Sequence, residues 1–380
     1  MEFALDETQQ EIRELAAQVL RRPAERATAG AERDGAADAW AALGEADLLT
    51  LAVPEELGGA GLGVLETAVV LTEVGRCALA VPAVSCLAAS VLPVVRFGTA
   101  EQREQLLKGV ESGRLLTAAL GEPSDPLPAK PATLARRDGD ALVLSGRKIG
   151  VAEAETAHRM LVSVTLPGEG SALAVVDPRA DGVSPFPTRT SSGAVEHTVV
   201  LDEVRIGVDA LLGGRADQRV VDGAHDFAIA GTCALAHGCV AGALDLTSEY
   251  VGTREQFGRP LASFQSVAGQ IADVYIAART LGLVAWSACW SLARQDAEAS
   301  TVDSTADAAG SDPREECDVA ACWLTESAPQ ALRTCHHLHG GTGVDETYPL
   351  HRNFSLVRDA VRSVGGAEAC LDRLAATTAS

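Results

Sequence analysis

Apolar side chains recur at helical spacing from the start of the chain. Leu5, Ile12, Leu15, Ala16 and Val19 fall along one side of a helix, and Asp6 is placed to cap its first turn. Trp40, Leu43 and Leu48–Val53 extend the pattern as far as Pro54-Glu55-Glu56-Leu57-Gly58-Gly59-Ala60-Gly61, where proline and glycines predict a loop. Further helices are predicted from Val64 to about Cys77, from Pro82 to Phe97 and, short and charged, over Thr99–Gly109. Beyond Ser112 the period changes. Thr117–Leu120, Ala141–Leu144, Met160–Val164, Ala172–Val176 and Thr198–Leu201 are short runs rich in β-branched residues. Gly, Pro and Asp separate them, and Asp138-Gly139-Asp140 is a hairpin signal. From about Gln218 the helical pattern returns, with long helices predicted over Phe227–Tyr250, Phe264–Arg294 and Glu315–Leu338. The Ser/Thr/Asp/Ala-rich stretch between Gln295 and Pro313 carries no apolar period and reads as a solvated loop or linker.

The reading is a mainly α chain with a central β domain. It divides into N-terminal helices over residues 1–115, a β domain over 116–215 and a C-terminal helical bundle over 216–380. A chain of 380 residues is long enough for two or three such units. Hydrophobic residues reach 47% but aromatics only 4%, so Ala, Leu and Val must fill the interior, which favours helix. The formal charge of −21 excludes nucleic acid as a partner, because phosphate binding needs a clustered basic face. Nine cysteines without a C-x-x-C pair read as reduced, mostly buried thiols. The N-terminus has no apolar signal-like segment, and no uninterrupted apolar run reaches the roughly 20 residues of a membrane span. The expectation is a cytoplasmic protein.

Two short motifs carry chemistry. Arg254-Glu255-Gln256-Phe257-Gly258-Arg259-Pro260 ends one long helix and leads into Ser263-Phe264-Gln265 at the start of the next. His337-Leu338-His339-Gly340-Gly341-Thr342-Gly343 follows a helix. A glycine turn beside a cation can wrap a pyrophosphate, since backbone N–H groups reach the anionic oxygens where no Cβ intervenes. Each motif taken alone reads equally well as a helix end.

Together, and in this order, the motifs resemble those of the acyl-CoA dehydrogenase family. Val53–Gly61 is similar to the family's N-terminal loop, and Glu122-Pro123 to its Glu-Pro motif. The resemblance implies that family's fold: N-terminal helices, a β-barrel-like middle domain and a C-terminal four-helix bundle carrying the oligomer contacts. It also implies FAD, bound extended at a subunit interface, with an acyl-CoA as substrate and an electron-transfer flavoprotein or similar acceptor. In the family the two motifs of one subunit hold a flavin seated in its neighbour. Carried over, the cofactor-binding residues are Arg254, Gln256, Phe257 and Gly258 from the first motif, and His337, Gly340, Gly341 and Gly343 from the second. His337 replaces the family's Gln and still offers one hydrogen bond.

The chain departs from the family where the base should stand. The reaction needs a carboxylate within hydrogen-bond reach of the α-proton. The family's positions for it fall on Val364, Ala228 and Leu235, none of them ionisable, so no catalytic residue is assigned. Asp226 is the nearest acid to Ala228, on a different helix face, while Asp345, Glu346, Asp359, Glu368 and Asp372 are other acids of the tail half. Gly150 stands where the family places an aromatic over the flavin, and Ser124-Asp125-Pro126 where it has Gly-Ser-Asp. The half that grips the flavin ring is eroded, and the half that reaches into a neighbour is preserved. This asymmetry resembles the partner-type subunits of heteromeric actinobacterial enzymes, α2β2 assemblies with fewer flavins than subunits. Two alternatives stand beside it: a homo-oligomer with a relocated base such as Asp226, and a structural subunit without flavin. The Cys335, His336, His337, His339 and His351 group matches no zinc spacing, so no metal is expected. Trp286, Trp290 and Trp323 lie at helical spacing and are expected in the core.

Overall fold

The computed structural model describes residues 4–28, 32–300 and 312–378. The N-terminal helices are α1 (Glu7–Thr28), α2 (Glu32–Glu45), α3 (Val64–Arg76), α4 (Leu92–Phe97) and α5 (Ala100–Leu107). Asp6 caps α1 as expected, its Oδ1 accepting from the N–H of Gln9 at 2.8 Å while the Gln9 side chain reaches back to the Asp6 N–H. The predicted helix from Pro82 to Phe97 forms, but Val84–Val91 is wound as a π-helix before α4 begins. Such wide turns concentrate at functional sites, and this one lines the central cleft described below.

Strands β1 (Leu116–Ala119), β2 (Leu134–Asp138), β3 (Ala141–Ala152), β4 (Arg159–Leu166), β5 (Gly170–Val176), β6 (Val183–Arg189) and β7 (Val195–Gly207) form one curled sheet. It stays open, with β5 and β6 at its edges rather than paired to close a barrel. The Asp138–Ala141 hairpin forms with Gly139 at φ 62°, a backbone that glycine enters without steric cost. Strands β2 and β6 are additions to the sequence reading.

The C-terminal part is built from α6 (Gln218–Thr253), a two-residue ribbon of β8 (Glu255–Gln256) and β9 (Arg259–Pro260), α7 (Gln265–Ser300), α8 (Pro313–His339), α9 (Leu350–Ser363) and α10 (Gly366–Thr378). Helices α6, α7 and α8 pack on one another, α9 lies across α6 and α8 as the fourth member, and α10 covers α8. The stretch expected as a loop begins as helix, since α7 continues through Ser300, and residues 301–311 lie outside the described residues. Helices α6 and α7 are long and apolar enough to cross a membrane by length and composition, although the sequence showed no uninterrupted span. In α6, 83% of the apolar stretch is buried among neighbouring elements, as a central core helix requires. Close packing on α3 fixes its small residues: a Cβ on Gly238 would lie 1.9 Å from the Thr72 carbonyl oxygen. The nine thiols are all free, seven of them buried.

Candidate functional site

The first motif forms a hairpin at the end of α6. Helix α6 stops at Arg254, which leaves helical geometry at ψ 120°, and β8 and β9 then pair across Phe257-Gly258. A two-residue hairpin of this hand needs positive φ at both central residues, and they have it, 53° at Phe257 and 80° at Gly258. Glycine adopts that backbone freely. For phenylalanine it is strained, and the ring gains little in return: Phe257 is 92% exposed, with only an edge contact to Phe264 at 6.2 Å. Arg259 lies over the other aromatic, 4.0 Å from the Phe264 ring centre. Arg254 and Gln256 are exposed. Arg254 makes backbone hydrogen bonds to Tyr250 and Leu261, and among the described residues its guanidinium meets no acid. The hairpin tip thus carries a strained, solvent-facing phenyl close to a cation that meets no acid among the described residues.

The second motif is joined to the first through aromatic contacts that sequence reasoning missed. The Tyr250 ring, one turn before Arg254, stacks on His339 at the end of α8, and its hydroxyl lies 3.4 Å from Thr342 Oγ1. His339 is buried, its Nδ1 2.8 Å from the Cys335 carbonyl and its Nε2 3.1 Å from the Tyr348 hydroxyl. Burial holds its pKa below the ordinary histidine value, so the ring is neutral, donating to Cys335 and accepting from Tyr348. The three glycines of the turn have different reasons to be glycine. Gly340 caps α8 at φ 57°, ψ −130°, outside the range of other residues. Gly343 is buried, and a Cβ there would sit 2.7 Å from the His336 carbonyl oxygen. Gly341 has neither constraint: its φ is ordinary and nothing lies within 4 Å of where its Cβ would be. The space beside it is open. His337 points outward beside it.

A cleft of about 870 Å³ runs between the sheet, the π-helix, the interior turns of α6 around Ala228–Leu235 and the C-terminal part of α9. Ala228, Leu235 and Val364, the three positions where the family's base could stand, all line it. Its one deeply buried acid, Glu122, is fully engaged. It accepts from the N–H groups of Ala132 and Thr133, from the Thr133 hydroxyl and from Lys148 Nζ at 2.8 Å. Burial works against the charged form of Glu122, but Lys148 and these donors outweigh it and hold the pKa below the ordinary carboxylate range. Lys148 is itself completely buried, and burial lowers its pKa to about 8 against the pull of Glu122. At Gly150, where an aromatic would cover a flavin, an ion pair stands instead: Arg362 of α9 meets Glu196 of β7 at 2.7 Å. Asp359 accepts from the N–H groups of Ser191 and Ser192 at 3.0 and 2.9 Å, so α9 is pinned to the β6–β7 loop.

The remaining acids do not replace the base. Asp226 faces away from the cleft toward α8, with its carboxylate 3.7 Å from Arg314. Asp226 therefore lies on a different helix face from Ala228, as the helical spacing implied. Burial raises its pKa to about 7, with Arg314 opposing. Asp345 closes a turn onto Thr347, while Glu346, Glu368 and Asp372 are exposed. Of the histidines near the glycine turn, His336 meets the Gly343 carbonyl, His339 the Cys335 carbonyl and His351 the Tyr348 carbonyl, while His337 is exposed. Trp286 packs against the core, but Trp323 is 44% exposed and is not a core residue.

Two family models match the chain: the acyl-CoA dehydrogenase N-terminal domain over residues 6–114 and the C-terminal domain over 227–377. The chain belongs to the acyl-CoA dehydrogenase family. This is a family of FAD-dependent oxidoreductases acting on CH–CH bonds. The chain is 42% identical to the acyl-CoA dehydrogenase FadE28 of Mycobacterium tuberculosis, over 89% of its own length and 91% of that relative's. FadE27 of the same organism is 31% identical, over 88% and 86%. Among solved structures, a variant of the Tcur3481–Tcur3483 steroid ACAD superposes with a TM-score of 0.85 at 34% identity, covering 98% of both chains. A chain of the ChsE4–ChsE5 complex of M. tuberculosis superposes at 0.88 with 26% identity, covering 100% of this chain and 99% of that one.

Proposed function

We propose that this chain is a partner-type subunit of a cytoplasmic FAD-dependent acyl-CoA dehydrogenase. It completes the flavin site of a second, catalytic chain of the same family. Arg254, Gln256, Phe257 and Gly258 from the hairpin, with His337, Gly340, Gly341 and Gly343 from the glycine turn, form the contribution. Bound FAD supplies the hydride acceptor, and an electron-transfer flavoprotein or similar protein reoxidises it. The carboxylate that takes the α-proton belongs to the partner. Residues 1–115, 116–215 and 216–380 are the three units of this reading.

One contrast carries it. The outward-facing elements are kept at a cost in backbone strain at Phe257, while the chain's own cleft has apolar residues at every position for a base. Arg254 fits the proposed role because its cation is exposed and unpaired among the described residues, and Gly341 fits because the space beside it is open. The solved relatives agree in kind, since the ChsE4–ChsE5 and Tcur3481–Tcur3483 proteins are both named as pairs of chains.

Arg254→Ala in the assembly purified through a tag on this chain tests the reading. Visible absorbance then gives flavin per assembly, and native mass gives its composition. The expected result is a mixed oligomer whose flavin content falls roughly tenfold, the loss of one charge-assisted contact to an anion. Unchanged flavin would make the chain a scaffold. Stoichiometric flavin on a homo-oligomer of this chain alone would remove the partner.

A further inference from the structure

Two ties hold α9 to the sheet across the outer edge of the chain's own cleft. Both come from one face of the helix, from residues three apart. The Asp359 carboxylate accepts from the N–H groups of Ser191 and Ser192. One turn further on, Arg362 Nη2 donates to both Glu196 oxygens at 2.7 Å. Ser192, Glu196, Asp359 and Arg362 all line the cleft. Arg362 is half in water, while Leu235 and Val364 on the same cleft are buried, so the bridge stands at the mouth and not on the floor.

Gly150 lies against this bridge. It falls where β3 bulges, between Lys148 and Val151, at φ 65°, a backbone that strains any residue with a side chain. A Cβ there would already be 3.5 Å from Arg362 Nη1 and 3.7 Å from Glu196 Oε2. Loss of an aromatic at this place would by itself only widen the cleft, and a wide apolar cleft admits flat rings readily. The ion pair takes up the room instead. A ring entering beside Gly150 would have to bury the bridge or part it. Parting it strands Glu196, whose side chain is only 17% exposed, without its cation, and that is the unfavourable outcome for a pair largely out of water.

We propose that the Arg362–Glu196 bridge, braced by Asp359, is a strap that shuts this chain's own cleft to a flavin ring. The proposal rests on the partner-subunit reading and deepens it. Exclusion of flavin from this chain is assigned to two named side chains, not to the absent aromatic or the absent base. The strap reserves the chain for the neighbouring site.

The assembly, purified through a tag on this chain with its partner where one accompanies it, is saturated with FAD, freed of excess and its flavin counted. It is then titrated with riboflavin, followed by quenching of the riboflavin fluorescence. Riboflavin carries the ring without phosphates, so it needs neither Arg254 nor the glycine turn. The double variant Glu196→Ala, Arg362→Ala removes both charges together and should bind riboflavin at least ~10-fold more tightly than the parent. Glu196→Gln, of nearly the same shape, should gain in the same direction by less, and it carries the test if the double variant does not fold. Arg362→Lys, which retains the charge pair, should bind no more tightly than the parent. Riboflavin binding that is equal in the parent, the double variant and Glu196→Gln would overturn the strap, as would a gain in Arg362→Lys as large as that of the double variant. Stoichiometric flavin on a homo-oligomer of the parent chain would instead overturn the partner-subunit reading, and the count made before the titration shows that separately.

Discussion

The ring of Tyr250 lies on the ring of His339, with centroids 4.4 Å apart and planes 24° from parallel. This contact fixes the end of α6 against the end of α8, and with them the hairpin and the glycine turn. His339 is anchored on its other side by Tyr348, at 5.0 Å between ring centres. Tyr250→Ala should therefore cost about 1–2 kcal/mol of stability, the stack plus lost apolar area. It should also weaken flavin retention by the assembly, because the stack holds the hairpin and the glycine turn together. Tyr250→Phe should retain the stack and most of both properties. Thermal unfolding and flavin content of the two variants separate the ring from the hydroxyl.

Gly341 gives a cleaner test of the ligand side. Its backbone is ordinary and the space at its Cβ is open, so Gly341→Ala should leave the melting temperature unchanged or slightly raised. If a pyrophosphate approaches that backbone in the assembly, the added methyl should cut flavin affinity by about tenfold or more. Gly343→Ala is the control, because its Cβ would press on the His336 carbonyl and should destabilise the fold itself. Equal flavin retention by Gly341→Ala and the parent would remove the turn from the site.

The Glu122–Lys148 pair should behave as a buried pair does when one member is lost. Glu122→Ala leaves a fully buried lysine without its carboxylate and should cost about 3–5 kcal/mol, read by denaturant unfolding. Lys148→Met, which removes the charge with similar volume, should cost less if Glu122 takes up a proton.

Much of this was legible in the chain and some was not, for identifiable reasons. Long apolar periods gave α3, α6, α7 and α8 to within a few residues at most ends, because core helices declare themselves by burial. Strand β6, Val183-Ser184-Pro185-Phe186-Pro187-Thr188-Arg189, escaped because it is a sheet edge. Its burial alternates only weakly, and two prolines are tolerated there as they would not be inside a sheet. Strand β2 is short and mostly charged, with Ala135 its only buried residue. Sequence spacing found the two motifs, but not the contact of Tyr250 with His339 that joins them, since residues so far apart in the chain meet only through the packing of α6 on α8. The same holds for Arg362 and Glu196 beside Gly150: the missing aromatic was visible, and what replaced it was not.

Asp226 offers a pH signature unrelated to catalysis. It lies between α6 and α8 with Arg314 at 3.7 Å, and Asp222, Asp318 and Asp312 nearby favour its neutral form, as does burial. The unfolded carboxyl titrates near its ordinary value and the folded one at about 7, so between those limits the folded chain holds the extra proton. Stability is therefore greatest below the unfolded value and declines as pH rises through about 7. Asp226→Asn should remove that decline, with a gain on the order of 1–3 kcal/mol above neutrality that vanishes near pH 4. A variant with no gain at pH 8 would mean that Arg314 fully compensates the buried charge.

Phe257 separates stability from function most directly. Its positive φ is unfavourable for a side chain without local hydrogen bonding, and its ring is almost wholly in water. Asparagine accepts the same backbone readily. Phe257→Asn should therefore raise stability by about 0.5–1 kcal/mol, since only the edge contact with Phe264 is lost. If the phenyl face covers part of a flavin in the neighbouring chain, the same substitution should lower flavin occupancy of the mixed assembly several-fold. A gain in melting temperature together with a loss of flavin would mean that the strain at the hairpin tip is retained for the partner's site. A gain in both would leave Phe257 without a role at the interface, and the hairpin's contribution would then rest on Arg254.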